Sequence, residues 1–183
     1  MRDGNVGRVL SDPPRLRARL LRASPRMSRP PRIRGFSYVG FQRYFLTFCT
    51  RGRRRWFVEA AIVSETTAHF LKTGAEYRFA ILAYCFMPDH VHLLVEAECE
   101  SADLRAFVKL AKQRSGAAHA LANGGPLWQA GYFDRALRDE EDSLGVARYV
   151  LNNPVRAGLV RGPHEYRFWG STKWTREELL GSI

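Results

Sequence analysis

Cysteine is scarce in this chain. The three residues, Cys49, Cys85 and Cys99, show no C-x-x-C spacing, which excludes a disulfide scaffold and a thiolate zinc site. Long apolar runs are missing as well, since no stretch approaches the roughly 20 residues that cross a bilayer. The arginine-rich start is not followed by the continuous apolar core of a secretory signal. Five prolines within residues 1–35 work against the amphipathic helix of an organellar presequence. These absences lead us to expect a cytoplasmic protein with reduced thiols and no membrane partner. Acidic residues are in deficit, with 18 against 29 basic ones and a formal charge of +11. Residues 1–35 hold ten Arg and two Asp, a net of +8, which leaves 19 minus 16, or +3, for the other 148 residues. A basic balance of this kind favours a polyanionic partner bound in a salt-sensitive way.

Residues 1–35 also lack aromatic side chains, so they cannot bury enough apolar surface to offset the entropy of ordering. We expect a disordered Arg/Pro-rich arm there. It is either a DNA-binding arm that folds on contact or upstream sequence preceding an internal start at Met27. Residues 36–175 read as one catalytic domain and 176–183 as a short C-terminal tail. Within the domain, alternation predicts a strand over Gln42–Thr50, followed by the basic turn Arg51-Gly52-Arg53-Arg54-Arg55. Helical spacing of Ile62, Val63, Phe70 and Leu71 predicts a helix over Val58–Thr73, with Gly74 as its stop. Tyr77–Phe86 and His90–Glu96 read as paired strands broken by Met87-Pro88-Asp89. A helix runs from Ser101 or Asp103 to about Ala122, and another spans about Glu140–Asn152. Trp128–Leu137 is a strand or an irregular ribbon, and Thr175-x-x-Glu178 has the pattern of a capping box. This order predicts an α+β fold, a ferredoxin-like antiparallel sheet with helices packed mainly on one face.

Two places carry the candidate chemistry. In Asp89-His90-Val91-His92-Leu93, alternate strand residues share a face, so His90 and His92 project together while Val91, Leu93 and Val95 face a core. Two imidazoles on one face are half of a metal site; the plainer reading is two partly buried polar residues on a strand. In Tyr149-Val150-Leu151-Asn152-Asn153-Pro154, Tyr149 and Asn153 lie about one helical turn apart. Pro154 disfavours helical geometry at Asn153, so Asn153 ends one helix or caps the next turn. Here the plainer reading is amphipathic packing for the tyrosine and a turn for Asn-Pro.

Taken together, the motifs resemble a family. The chain is similar, over about Val39–Lys173, to the REP-associated tyrosine transposases within the single-tyrosine HUH (IS200-like) transposases. The resemblance rests on Arg51–Phe57, Met87–Val95, Leu104–Lys112, Leu127–Arg135, Arg138–Asp142 and Tyr149–Val160. It implies that Tyr149 is the nucleophile, and that His90, His92 and Asn153 hold a divalent ion, Mg²⁺ or Mn²⁺. Zn²⁺ would bind such nitrogens more tightly. It further implies cleavage and rejoining of single-stranded DNA at hairpin or palindromic repeats through a 5′-phosphotyrosine link, by a monomer rather than a homodimer.

For DNA contacts the sequence offers Arg53, Arg54 and Arg55 in the basic turn, and Lys109, Lys112 and Arg114 on the 101–122 helix, although solvated charges on a helix face would look the same. Trp128, Tyr132 and Phe133 could stack on bases or pack in the core. The rival functions are a non-catalytic hairpin-binding protein or repressor with a vestigial site, and a ferredoxin-like RNA-binding domain. The second would leave the H-x-H pair unexplained.

Overall fold

The computed structural model describes residues 37–181, so the arm expected over residues 1–35 lies outside the described residues. Strands β1 (Arg43–Cys49), β2 (Phe79–Met87), β3 (His90–Ala97), β4 (Phe133–Ala136) and β5 (Trp169–Gly170) form one sheet in the order β4-β1-β3-β2-β5. All its pairings are antiparallel. The helices are α1 (Ala60–Glu76), α2 (Leu104–Asn123), α3 (Ser143–Leu151), α4 (Asn153–Arg156) and α5 (Arg176–Leu180).

Alternation decides which side chains meet. Tyr44, Leu46 and Phe48 of β1 sit opposite Val95, Leu93 and Val91 of β3. With Ile62, Val63 and Phe70 of α1 and Leu104, Phe107, Val108 and Ala111 of α2, they form the main core. Each such side chain contributes about 1.5–3 kcal/mol by leaving water. Trp128 and Tyr132 join this core, both at the edge of the Phe48 ring, so neither is free to stack on a base. Phe45, Thr47, His90, His92 and Leu94 point to the opposite face. There α3 packs over β2 and β3, with Val146, Ala147, Val150 and Leu151 buried outside the main core. The two long helices thus cover one face, and the shorter α3 covers the face that carries the histidines.

Strand β2 serves both layers. Ile81 pairs with Val95 and Ala83 with Leu94, which leaves Leu82 as the extra residue of a β-bulge. Phe79 and Ile81 therefore face the main core before the bulge, and Tyr84 and Phe86 after it.

Several helix ends follow their sequence signals. Asp103 accepts from the Arg105 and Ala106 amides at the start of α2, and Asp142 accepts from Leu144 and Gly145 at the start of α3. Helix α3 begins at Ser143 rather than near Glu140, because the Glu141 carboxylate is engaged by the Arg135 guanidinium and the Arg138 amide. The capping box closes at Thr175 and Glu178, and Arg148 of α3 donates to the Leu179 and Glu178 carbonyls, so residues 176–180 form a docked helix.

Gly74 does not stop its helix. Helix α1 runs through it to Glu76, and a Cβ at this position would lie 2.9 Å from the Phe79 carbonyl oxygen. Glycine is kept for close approach of helix and strand. Gly74→Ala gains helix propensity of about 1 kcal/mol but must push backbone against backbone. The expected outcome is a net loss of about 1–3 kcal/mol, read as a lower midpoint in thermal or urea unfolding.

Candidate active site

His90 begins β3 directly after the two-residue Pro88-Asp89 turn, and His92 follows on the same face. Their Nε2 atoms lie 3.1 Å apart. Each Nδ1 is engaged elsewhere: His90 with an Asp89 carboxylate oxygen at 2.6 Å, His92 with the Thr47 hydroxyl at 2.9 Å. Register explains the second contact, because Thr47 of β1 is the cross-strand partner of His92. The Asp89 carboxylate accepts the His90 Nδ1 proton, which leaves Nε2 as the acceptor that faces His92 Nε2. The Thr47 hydroxyl can donate or accept, so it matches either tautomer of His92. Phe45 stacks on the His92 ring at 5.3 Å and fixes its plane.

Two nitrogens with this separation fit adjacent positions around one cation. At a metal–nitrogen distance of about 2.1 Å, a 3.1 Å bite subtends about 95°. A carboxylate behind a ligating imidazole is the usual orienting arrangement. Among the described residues, no group of three or more His, Cys, Asp or Glu side chains is placed to hold a metal. A third protein ligand would therefore have to be of another type. Asn153 offers one. Its Nδ2 donates to the Val150 carbonyl at 2.9 Å and the Tyr149 carbonyl at 3.3 Å, leaving Oδ1 without a donor among the described residues. The helix breaks at Asn152, which ends α3 and caps α4; the sequence predicts the break one residue later, at Asn153, which instead is the first helical residue of α4 with Pro154 next to it.

Tyr149 lies near the end of α3 with only 5% of its surface exposed. Its hydroxyl makes no hydrogen bond among the described residues, and the Arg156 guanidinium lies 4.1 Å from its ring centroid. Burial above all, then the neighbouring His90 and the Arg156 and Arg53 guanidiniums, hold the His92 pKa well below the usual histidine value. Arg156 covers the tyrosine ring. Sequence reasoning gave it no role, nor Asp89 or Thr47. Asp89 is signalled by adjacency to His90, whereas Thr47 and Arg156 become evident only from register and from the path of α4.

Of the six candidate DNA contacts, Arg53, Arg54, Arg55 and Lys109 are exposed. Lys112, expected on the outer face of its helix, is turned inward instead. Its Nζ donates to the Gln129 and Gly131 carbonyls at 2.9 and 2.5 Å, and burial pushes its pKa down to about 8. Arg114 is likewise committed, to the Thr73 hydroxyl and the Glu76 carboxylate, and ties α2 to α1. Arg53 pairs with Asp89 at 2.9 Å.

The low His92 pKa has a consequence for stability. Below about pH 6.5 the unfolded chain protonates this histidine while the folded chain resists, so stability present above that pH is lost as the pH falls. The slope reaches up to about 1.4 kcal/mol per pH unit from this residue. Unfolding midpoints between pH 7.5 and 5 should fall more steeply for the wild type than for His92→Gln.

Comparison with known proteins narrows what an antiparallel α+β fold with paired histidines under the Tyr149 helix can be. Residues 39–153 match the family described as Transposase IS200 like, which covers more than half of the chain. The chain belongs to that family. A Haemophilus influenzae protein provisionally named a REP-associated tyrosine transposase is 25% identical over 129 residues, 64% of this chain and 72% of that one. The solved structure of a REP-associated tyrosine transposase bound to a REP hairpin shares the fold, with a TM-score of 0.65 and 23% identity, covering 78% of this chain and 82% of that one. Among the described residues no helix is long and apolar enough to cross a membrane.

Proposed function

We propose that the protein is a metal-dependent, single-tyrosine enzyme that nicks and rejoins single-stranded DNA at hairpin or palindromic repeats. The observation that carries this reading is the convergence of the two Nε2 atoms at 3.1 Å, each ring oriented through its Nδ1, on the face covered by the Tyr149 helix. The hairpin-bound relative of the same fold supports the choice of DNA partner. His90, His92 and the Asn153 Oδ1 would hold Mg²⁺ or Mn²⁺. Such an ion, when bound, neutralises a non-bridging phosphate oxygen and stabilises the charge that develops in the transition state.

The chain's own residues supply the rest. Tyr149 carries a hydroxyl uncommitted to the fold. Its oxygen forms a bond to phosphorus while the bond from phosphorus to the 3′ oxygen breaks. The departing strand leaves as a 3′-OH, with the phenol proton balancing that hydroxyl, and the 5′ phosphate stays on Tyr149. Reversal with another 3′-OH rejoins DNA without an external energy source. Arg156, above the Tyr149 ring and exposed to solvent, is placed to meet an incoming phosphate. Exposed Arg54, Arg55 and Lys109 would add non-specific attraction for the strand.

The test is a denaturing gel. The protein is incubated with single-stranded oligonucleotides carrying the palindromes beside its own gene, with Mn²⁺ or with EDTA. A metal-dependent, SDS-resistant protein–DNA species is expected. Hairpin binding with no such species under any metal would favour the non-catalytic binder.

A further inference from the structure

Arg53 was counted among the DNA contacts, yet its surroundings suit a different task. Its Nε pairs with one oxygen of Asp89 at 2.9 Å, and the other oxygen meets His90 Nδ1 at 2.6 Å. Its NH1 donates to the Cys49 sulfur at 2.8 Å, and Cys49 is the cross-strand partner of His90. The guanidinium therefore spans the carboxylate behind His90 and the residue beside it.

The backbone supports the same conclusion. Gly52 and Arg53 both adopt left-handed conformations, with φ of 63° and 56°. For a residue with a side chain this conformation is strained and persists only where the surroundings enforce it. Here the turn is laced to the Pro88-Asp89 turn: the Thr50 amide donates to the Asp89 carbonyl, the Phe57 amide donates to the Pro88 carbonyl, and the Thr50 hydroxyl closes the turn on the Arg54 carbonyl at 2.7 Å. Arg53 is itself exposed, yet an arginine that only awaited a phosphate would need none of this. Neighbouring Arg54 and Arg55, exposed on the same turn, have ordinary negative φ values of −64° and −82°.

We propose that Arg53 is a positioning residue for the histidine pair: through Asp89 it locks the His90 ring so that Nε2 faces His92. A carboxylate at a two-residue turn has freedom to rotate. With one oxygen held by Arg53, the other keeps a fixed direction toward Nδ1. The pairing also keeps Asp89 from swinging forward to ligate a cation itself. The consequence for metal binding rests on the function proposed above, whereas the orientation of His90 does not.

Arg53→Gly is the informative variant, because glycine accepts the left-handed backbone while removing the guanidinium. Arg53→Lys keeps the charge without the fork and serves if the glycine variant folds poorly. Two readouts are taken at one fixed pH: ring ¹⁵N NMR of His90 in metal-free protein, and Mn²⁺ affinity by calorimetry. The wild type should show a single Nδ1–H tautomer. Arg53→Gly should show averaged tautomers and Mn²⁺ binding about tenfold weaker, the scale on which outer partners of metal ligands act, with Arg53→Lys in between. Asp89→Asn should alter the same His90 signals. Unchanged His90 signals and Mn²⁺ affinity, with weaker oligonucleotide binding and a smaller salt dependence, would make Arg53 a DNA contact and overturn the proposal. If the wild type takes up no Mn²⁺, the metal-dependent reading falls by itself. The His90 tautomer then decides alone: a change in Arg53→Gly upholds the positioning role, and no change overturns it.

Discussion

Tyr149→Phe should form no covalent adduct with single-stranded palindromic DNA, while folding and binding hairpins like the wild type. The expected drop in cleavage is on the order of 10⁴-fold or more, since no neighbouring group replaces a lost nucleophile. The structure makes the substitution unusually clean. The ring stays buried and keeps its stacking with Arg156. The deleted hydroxyl has no hydrogen-bond partner among the described residues, so its removal leaves nothing buried and unpaired. The unfolding midpoint should shift by no more than about 2 °C, in line with a change below about 0.5 kcal/mol. A covalent species that persists in the variant would remove Tyr149 from the chemistry. A midpoint lowered by many degrees would show that the hydroxyl serves the fold instead.

The second large effect concerns the histidines. His90→Gln and His92→Gln each should abolish calorimetric Mn²⁺ binding and lower adduct formation by about 10²–10³-fold, the scale of losing one source of transition-state charge stabilisation. Hairpin affinity should change only a few-fold, because phosphate contacts come mainly from cationic side chains elsewhere. Glutamine is preferred to alanine at His92, which is only 9% exposed and stacked on Phe45, so that no cavity is opened. Adduct formation at wild-type rates in both variants, or Mn²⁺ affinity unaltered in both, would place the metal elsewhere.

The parts of this molecule legible in the sequence are those governed by local period and by end signals. Alternation identified β1 and β3, the shared face of His90 and His92 follows from the same period, and Asp103 and Thr175 mark helix starts by their side-chain chemistry. What stayed hidden depends on contacts between distant segments. Lys112 looks like any solvated helix lysine until the 128–132 ribbon supplies carbonyls for it. Gly74 reads as a helix stop until the Phe79 carbonyl is seen pressing against it. Arg53 cannot be told from Arg54 and Arg55 by type, and only the lacing of two turns separates them. The bulge at Leu82 was invisible for another reason. Both faces of β2 are buried, so no polar residue marks the point where alternation skips.

That skip decides which change of length β2 can take. Its two ends answer to opposite parities, with Phe79 and Ile81 odd and Tyr84 and Phe86 even on one and the same side. Excising Leu82 would leave Ile81 opposite Val95 and Ala83 opposite Leu94 in a regular ladder, with every other residue on the face it already holds. Losing Ala80 instead, with the bulge kept, would turn Phe79 to the other face and take its carbonyl from beside Gly74. A single codon lost at the bulge would thus spare both layers, whereas the same loss two residues earlier would misfit a long helix without touching either histidine.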